Sequence, residues 1–140
     1  MTLEQEALAF IEQLQTLYYE QRDIEAVLAS MAEDITWIGT GRRERCHGLT
    51  EARGVLTREL QEYGEGFAVT DSGYEAVALS DGLCVVYGQL SASSVCAEVA
   101  DLYQRLTAVC RRTPQGLKLV HLHLSLPDLD QREGEFYARK

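Results

Sequence analysis

From Leu3 onward the apolar residues recur at helical spacing. Leu3, Ala7, Phe10, Ile11, Leu14, Leu17 and Tyr18 share one stripe of a 3.6-residue helix. Thr2 and Gln5 have the spacing of a capping box and set where that helix starts. A shorter stripe follows, Ile24, Val27, Leu28 and Met31, with Asp23 placed to cap it. Glu33-Asp34 then leads into ITWIGT, a short strand. After the polar loop GRRERCHG, Thr50 is the expected cap of a third helix. Its inward stripe is Ala52, Val55, Leu56, Leu60 and Tyr63, and Gly64 and Gly66 end it. From Phe67 the pattern changes to strands, Phe67–Leu79, Leu83–Ser93, Val99–Arg112 and Leu117–Pro127, separated by SDG, a small-residue stretch and TPQG. Ser72-Gly73 marks a bulge or bend in the first of these strands.

Helices first and a meander of long strands afterwards predict an α+β fold, with the helices on one side of an antiparallel sheet. A strongly curved sheet wrapped around the N-terminal helices makes a cone-shaped barrel. No internal repeat or low-complexity linker divides the chain, so residues 1–140 read as a single domain. Residues 128–140 form a polar C-terminal tail, which either docks on a partner subunit or leads into a longer protein.

The closing stretch LVHLHLSLP places His121, His123 and Ser125 on alternate residues, with aliphatic side chains between them. In a strand these two sets point to opposite faces. Pro114 and Gly116 fit a three-residue TPQG loop. That loop pairs Thr113 with Leu117, Val109 with His121, Thr107 with His123 and Arg105 with Ser125. One face then carries Arg105, Thr107, Val109, Leu119, His121, His123 and Ser125. The other carries Leu106, Ala108, Cys110, Val120, Leu122, Leu124 and Leu126. Two arrangements fit this alternation. Either the leucine face packs on the helices and the mixed face is wet, or the mixed face lines a cavity and the leucine face meets a second copy of the protein.

The composition is 46% hydrophobic and 25% charged, enough for one core with a pocket. The net charge of −9 argues against nucleic acid and anionic membrane surfaces as partners. Acids near the N-terminus and the lack of a long apolar run predict a cytoplasmic protein. Cys46, Cys84, Cys96 and Cys110 show no metal-ligand spacing and read as reduced packing residues. Cys46-His47 with His121 and His123 does not make a compact ligand set, and no cofactor motif is present, so neither a metal nor a cofactor is expected. Arg42, Arg43 and Arg45 form a basic patch that is either a solvated loop or an anion-attracting rim at a pocket mouth.

Taken together, the helical N-terminus, EDITWIGTGRRERCHGLTEA, LCVVYGQL and above all RLTAVCRRTPQGLKLVHLHLS resemble the nuclear transport factor 2-like superfamily, in its SnoaL-like branch. The resemblance implies a cone-shaped α+β barrel, a pocket between curved sheet and helices, and commonly a dimer through the outer sheet face. It also implies that His123 and Ser125, with Arg105 and Thr107 on the partner strand, look into the pocket, and that Trp37 reaches it from the first strand. The dimer is expected through the leucine face, including Leu106, Leu122 and Leu124.

The expected ligand site is Trp37, Tyr87, Arg105, Thr107, His121, His123 and Ser125. In that site Arg105 clamps an acid group through its planar fork, His123 and Ser125 orient the ligand, and Trp37 and Tyr87 supply walls. These residues suggest a homodimeric, small-molecule-binding and sensory domain for a polar or anionic organic ligand. The alternatives are a lyase or isomerase in which His123 moves a proton, and a dimerisation module with a vestigial pocket. Relatives that isomerise steroids or cyclise polyketides use a buried carboxylate, and none falls on the deduced face except Asp101 near a strand end.

Overall fold

The computed structural model describes all 140 residues. Helix α1 (Leu3–Gln15) starts at the expected capping box, in which the Thr2 hydroxyl accepts from the Gln5 amide and the Gln5 side chain returns to the Thr2 backbone. The helix then widens into one π-helical turn, Thr16–Glu20, which sets Tyr18 and Tyr19 side by side. Asp23 caps α2 (Ile24–Ala29) as expected. The third helix, α3 (Leu49–Glu62), begins earlier than its sequence suggests. Gly48, at a positive φ of 87°, takes the cap position in place of Thr50.

Six strands form one curved, unclosed sheet: β1 (Met31–Ile38), β2 (Arg45–His47), β3 (Phe67–Ser80), β4 (Leu83–Ser94), β5 (Leu102–Thr113) and β6 (Gly116–Ser125). Their order is β2-β1-β6-β5-β4-β3. All neighbours are antiparallel except β1 and β6, which run parallel because the helices and the long meander separate them in sequence. β2 lies within the stretch that reads as a polar loop; only Cys46 of its three residues is buried.

The β5–β6 hairpin contains two departures from expectation that cancel. Thr113 pairs with Gly116 across a two-residue turn, Pro114-Gln115, so the three-residue loop is corrected. The register then slips by one residue at Val120, a β-bulge between the Cys110–Leu119 and Val109–His121 pairs. Beyond the bulge Thr107 pairs with His123 and Arg105 with Ser125, as the longer loop predicts. The bulge also moves Leu119 onto the face of Leu122 and Leu124, where it is fully buried.

The core lies between the helices and the even-numbered face of β5 and β6. Leu3, Ala7, Ile11 and Leu14 of α1 pack with Ile35, Val86, Ala108, Leu119, Leu122 and Leu124 in one apolar cluster. This arrangement overturns the pocket-lining assignment of the mixed face. Each helix offers an apolar stripe, and covering the imidazole and guanidinium face with it would strand donors and acceptors that water satisfies outside. Cys84 and Cys110 oppose one another in the same core as free thiols, and burial pushes the Cys110 thiol up to about 12.

Candidate functional site

A cavity of about 50 Å³ lies between the helices and the inner face of the sheet. Ile11, Leu14 and Gln15 enter from α1, Tyr18 and Tyr19 from the π-helical turn, Val27 from α2 and Leu56 from α3. The sheet contributes Met31, Trp37, Tyr74, Leu90, Leu106, Leu119, Leu122 and Leu124. One water needs roughly 10–15 Å³ on this scale and several polar partners. Walls that are apolar at 14 of 15 residues offer few such partners, so the space suits hydrocarbon better than water.

The polar groups at this cavity are few, and most are already engaged. Tyr18 donates to Glu59 Oε2, Tyr19 to Gln104 Oε1 and Tyr74 to Gln15 Oε1. Burial raises all three phenols above their ordinary range. Trp37 differs: it is 2% exposed, and its Nε1 is buried without an acceptor. A buried donor left unmade costs about 1–3 kcal/mol, which makes it the one unanswered polar group in the cavity wall.

Glu59 lies just outside the cavity, one turn along α3 from Leu56, and meets Tyr18 from the far side. Burial is the main cause that raises its carboxyl. Glu44 and Glu62 add to the shift, while the Tyr18 hydrogen bond and Arg22 oppose it. Arg22 takes a positive φ of 53° and stacks its guanidinium 5.5 Å from the Tyr18 and Phe67 ring centres and 5.7 Å from that of Tyr63. Its Nη atoms donate to the Tyr18 and Tyr63 carbonyls at 3.3 and 2.9 Å. This brace fixes the π-helical turn against the end of α3.

Of the residues expected at the site, the structure puts only Trp37 in the cavity wall. Tyr87, Arg105, Thr107, His121, His123 and Ser125 lie on the outer face. Thr36 Oγ1 bonds His121 Nδ1 at 2.7 Å, Arg105 Nε donates to Ser125 Oγ at 3.1 Å, and Tyr87 donates to Glu75 at 2.5 Å. His123, Thr107, Arg105 and Tyr87 are exposed. The leucines expected at a dimer interface are corrected likewise, since Leu106, Leu122 and Leu124 line the cavity. Sequence reasoning missed Glu59, although its spacing from Leu56 puts a carboxylate at the margin of an apolar stripe. It also missed Tyr19 and Gln104, whose partnership joins residues 85 apart in sequence.

The family model described as a SnoaL-like domain matches residues 8–128. The chain belongs to that family. No curated protein matches it. Among solved structures it is similar to a nuclear transport factor 2-like protein of unknown function from Pseudomonas putida KT2440, with 18% identity, TM-score 0.74, and 98% of this chain and 95% of that one covered. It is also similar to a protein of unknown function with a cystatin-like fold from Nostoc punctiforme, with 14% identity, TM-score 0.68, and coverage of 92% and 97%. A third is a ketosteroid isomerase-like protein from Erwinia carotovora atroseptica, with 20% identity, TM-score 0.66, and coverage of 84% and 90%. At such identities the likeness shows the fold alone. No helix is long and apolar enough to cross a membrane.

Proposed function

We propose that this protein binds a compact, mainly apolar organic molecule carrying one hydrogen-bond acceptor, such as a carbonyl oxygen, within the cavity. The unpartnered Nε1 of Trp37 in an otherwise apolar wall carries this reading. An acceptor there answers a donor that folding left bare, while the hydrocarbon part fills the space beside it. The reading moves the ligand site from the Arg105 and His123 face to the opposite side of the sheet. Trp37 is the sole tryptophan, so its indole N–H gives a single NMR resonance. Cyclohexanone is expected to shift that resonance saturably, and Trp37→Phe is expected to weaken cyclohexanone binding about fivefold, the worth of one neutral hydrogen bond of about 1 kcal/mol. An unmoved resonance and unchanged affinity overturn the reading.

The contact between Tyr18 and Glu59 favours a second reading, as an isomerase-type enzyme. With its carboxyl neutral, Glu59 donates to the Tyr18 oxygen and frees the phenolic proton for a substrate oxygen in the cavity. Tyr18-dependent exchange of deuterium into the carbons flanking the cyclohexanone carbonyl, in which solvent water or hydroxide takes the carbon-bound proton while Tyr18 donates to the enolising oxygen and D2O returns a deuteron to carbon, marks that enzyme; binding without exchange leaves the ligand-binding reading alone. We also propose that the homodimer forms through the outer face, where Val77, Val85 and Val109 stand directly opposed across β3, β4 and β5. Val77 is 49% exposed and Leu79 60%. Pairing with a second copy covers this row.

A further inference from the structure

We propose that the cleft on the outer side of α3 is the head-group subsite of the same ligand, so that the natural ligand is an amphipathic organic acid with its carboxylate among Arg43, Arg45 and Arg58. This rests on the cavity reading above and adds the chemistry of the ligand's far end.

The cleft measures about 380 Å³ and is lined by Arg43, Glu44, Arg45, Val55, Arg58, Glu59 and Glu62. Three acids balance three guanidinium groups in a simple count, but their carboxylates are differently engaged. Glu44 folds back on its own loop and accepts from the Gly41 amide at 3.0 Å. Its carboxyl carbon lies only 2.1 Å from where a side chain at residue 39 would begin, so Gly39 is what leaves room for it. Glu59 turns inward to Tyr18, and burial favours its neutral form.

The arginines have no comparable partners. Arg53, Arg111, Arg112 and Arg139 form the chain's ion pairs, and Arg22 is occupied by two carbonyls and three rings. Arg43, Arg45 and Arg58 take part in none of these contacts. Glu62, the third acid of the cleft, has no partner either, so in a chain of net charge −9 the cleft sets three unpaired arginines against one unengaged carboxylate. A planar fork matches a carboxylate in two parallel hydrogen bonds.

Continuity with the cavity gives the cleft its purpose. On α3, Leu56 faces the cavity, and Val55, Arg58, Glu59 and Glu62 face the cleft. The small space between them is walled by Tyr18, Val27 and Leu56, which also line the cavity, and by Glu59, which also lines the cleft. The hydrogen bond from Tyr18 to Glu59 crosses that small space. An apolar tail in the cavity and an acid head in the cleft meet at that pair.

The test compares hexanoate with 1-hexanol, probes of equal chain length that differ in the charged head, by equilibrium dialysis and the Trp37 indole resonance. Wild-type protein is expected to bind hexanoate about tenfold more tightly than 1-hexanol, the worth of one charge-assisted contact. The triple variant Arg43→Gln, Arg45→Gln, Arg58→Gln is expected to lose that preference. Arg53→Gln, on the same helix but outside the cleft, is expected to keep it. Equal affinity for the two probes in wild-type protein overturns the head-group subsite and leaves the cavity reading standing. If neither probe binds, and cyclohexanone also fails, both fall.

Discussion

The two faces of the sheet are used in opposite ways. On the inner face Cys84, Val86, Ala108, Leu119, Leu122 and Leu124 are each less than a tenth exposed and touch the helices. On the outer face Val77, Val85 and Val109 form a row beside Thr107, His123 and Arg105, and Arg105 bonds Ser125. The difference lies in what covers each face. An antiparallel sheet with helices on one side buries its most apolar surface there and leaves the mixed surface for solvent or a partner. A pocket on the covered side is then lined by hydrocarbon, and its few polar groups gain significance from their isolation.

The largest effect that separates the faces is expected at Leu122. Leu122→Ser deletes buried hydrocarbon in the cavity wall and leaves a hydroxyl there, at a cost of roughly 3–5 kcal/mol. Urea unfolding of this variant beside His123→Asn, its neighbour on the outer face, gives the comparison. The outer substitution is expected to stay within about 0.5 kcal/mol of wild type. Equal losses at the two positions would remove the distinction between the faces.

A smaller effect, confined to a pH window, is expected at Glu59. Burial raises its carboxyl, so the native state holds that proton more tightly than the unfolded chain does. Its contribution is complete below the ordinary glutamate value of about 4.3 and is lost as pH rises through the higher native value. Glu59→Gln does not ionise and keeps a partner for Tyr18. Its stability relative to wild type is therefore expected to rise across that window and level off above it, as measured by urea unfolding at a series of pH values. A constant difference between the two proteins contradicts the shift.

Much of the fold is legible in the chain because local signals agree with the global arrangement. The capping box at Thr2, the Asp23 cap and the long strands each declare themselves within a few residues. The pairing of Arg105 with Ser125 is also legible, although it arises from a shorter turn and a bulge at Val120 that compensate one another. The side of the sheet the helices cover is not legible from LVHLHLSLP alone, because alternation defines two faces and says nothing about their neighbours. The helices hold that information. Their stripes are aliphatic, and an aliphatic stripe seeks the leucines rather than the imidazoles. The acid–phenol pair of Glu59 and Tyr18 escapes a strand-centred search for another reason: both residues sit on helices, 41 apart in sequence, and only packing brings them together.

The smallest effect on the fold, and the sharpest on assembly, is expected on the outer face at Val77. Its side chain heads the valine row and is about half exposed in the isolated chain, so Val77→Lys removes little buried surface and is expected to change unfolding stability by no more than about 0.5 kcal/mol. In a dimer built on this row, the same change places an ammonium group in an apolar interface, where desolvation opposes association. Sedimentation velocity at micromolar concentration is expected to show dimer for the wild type and monomer for the variant. A monomeric wild type leaves the outer face to solvent, and a dimeric variant moves the interface off the valine row. In neither case do the leucines return to the surface, because they are held between sheet and helices whatever the second copy does.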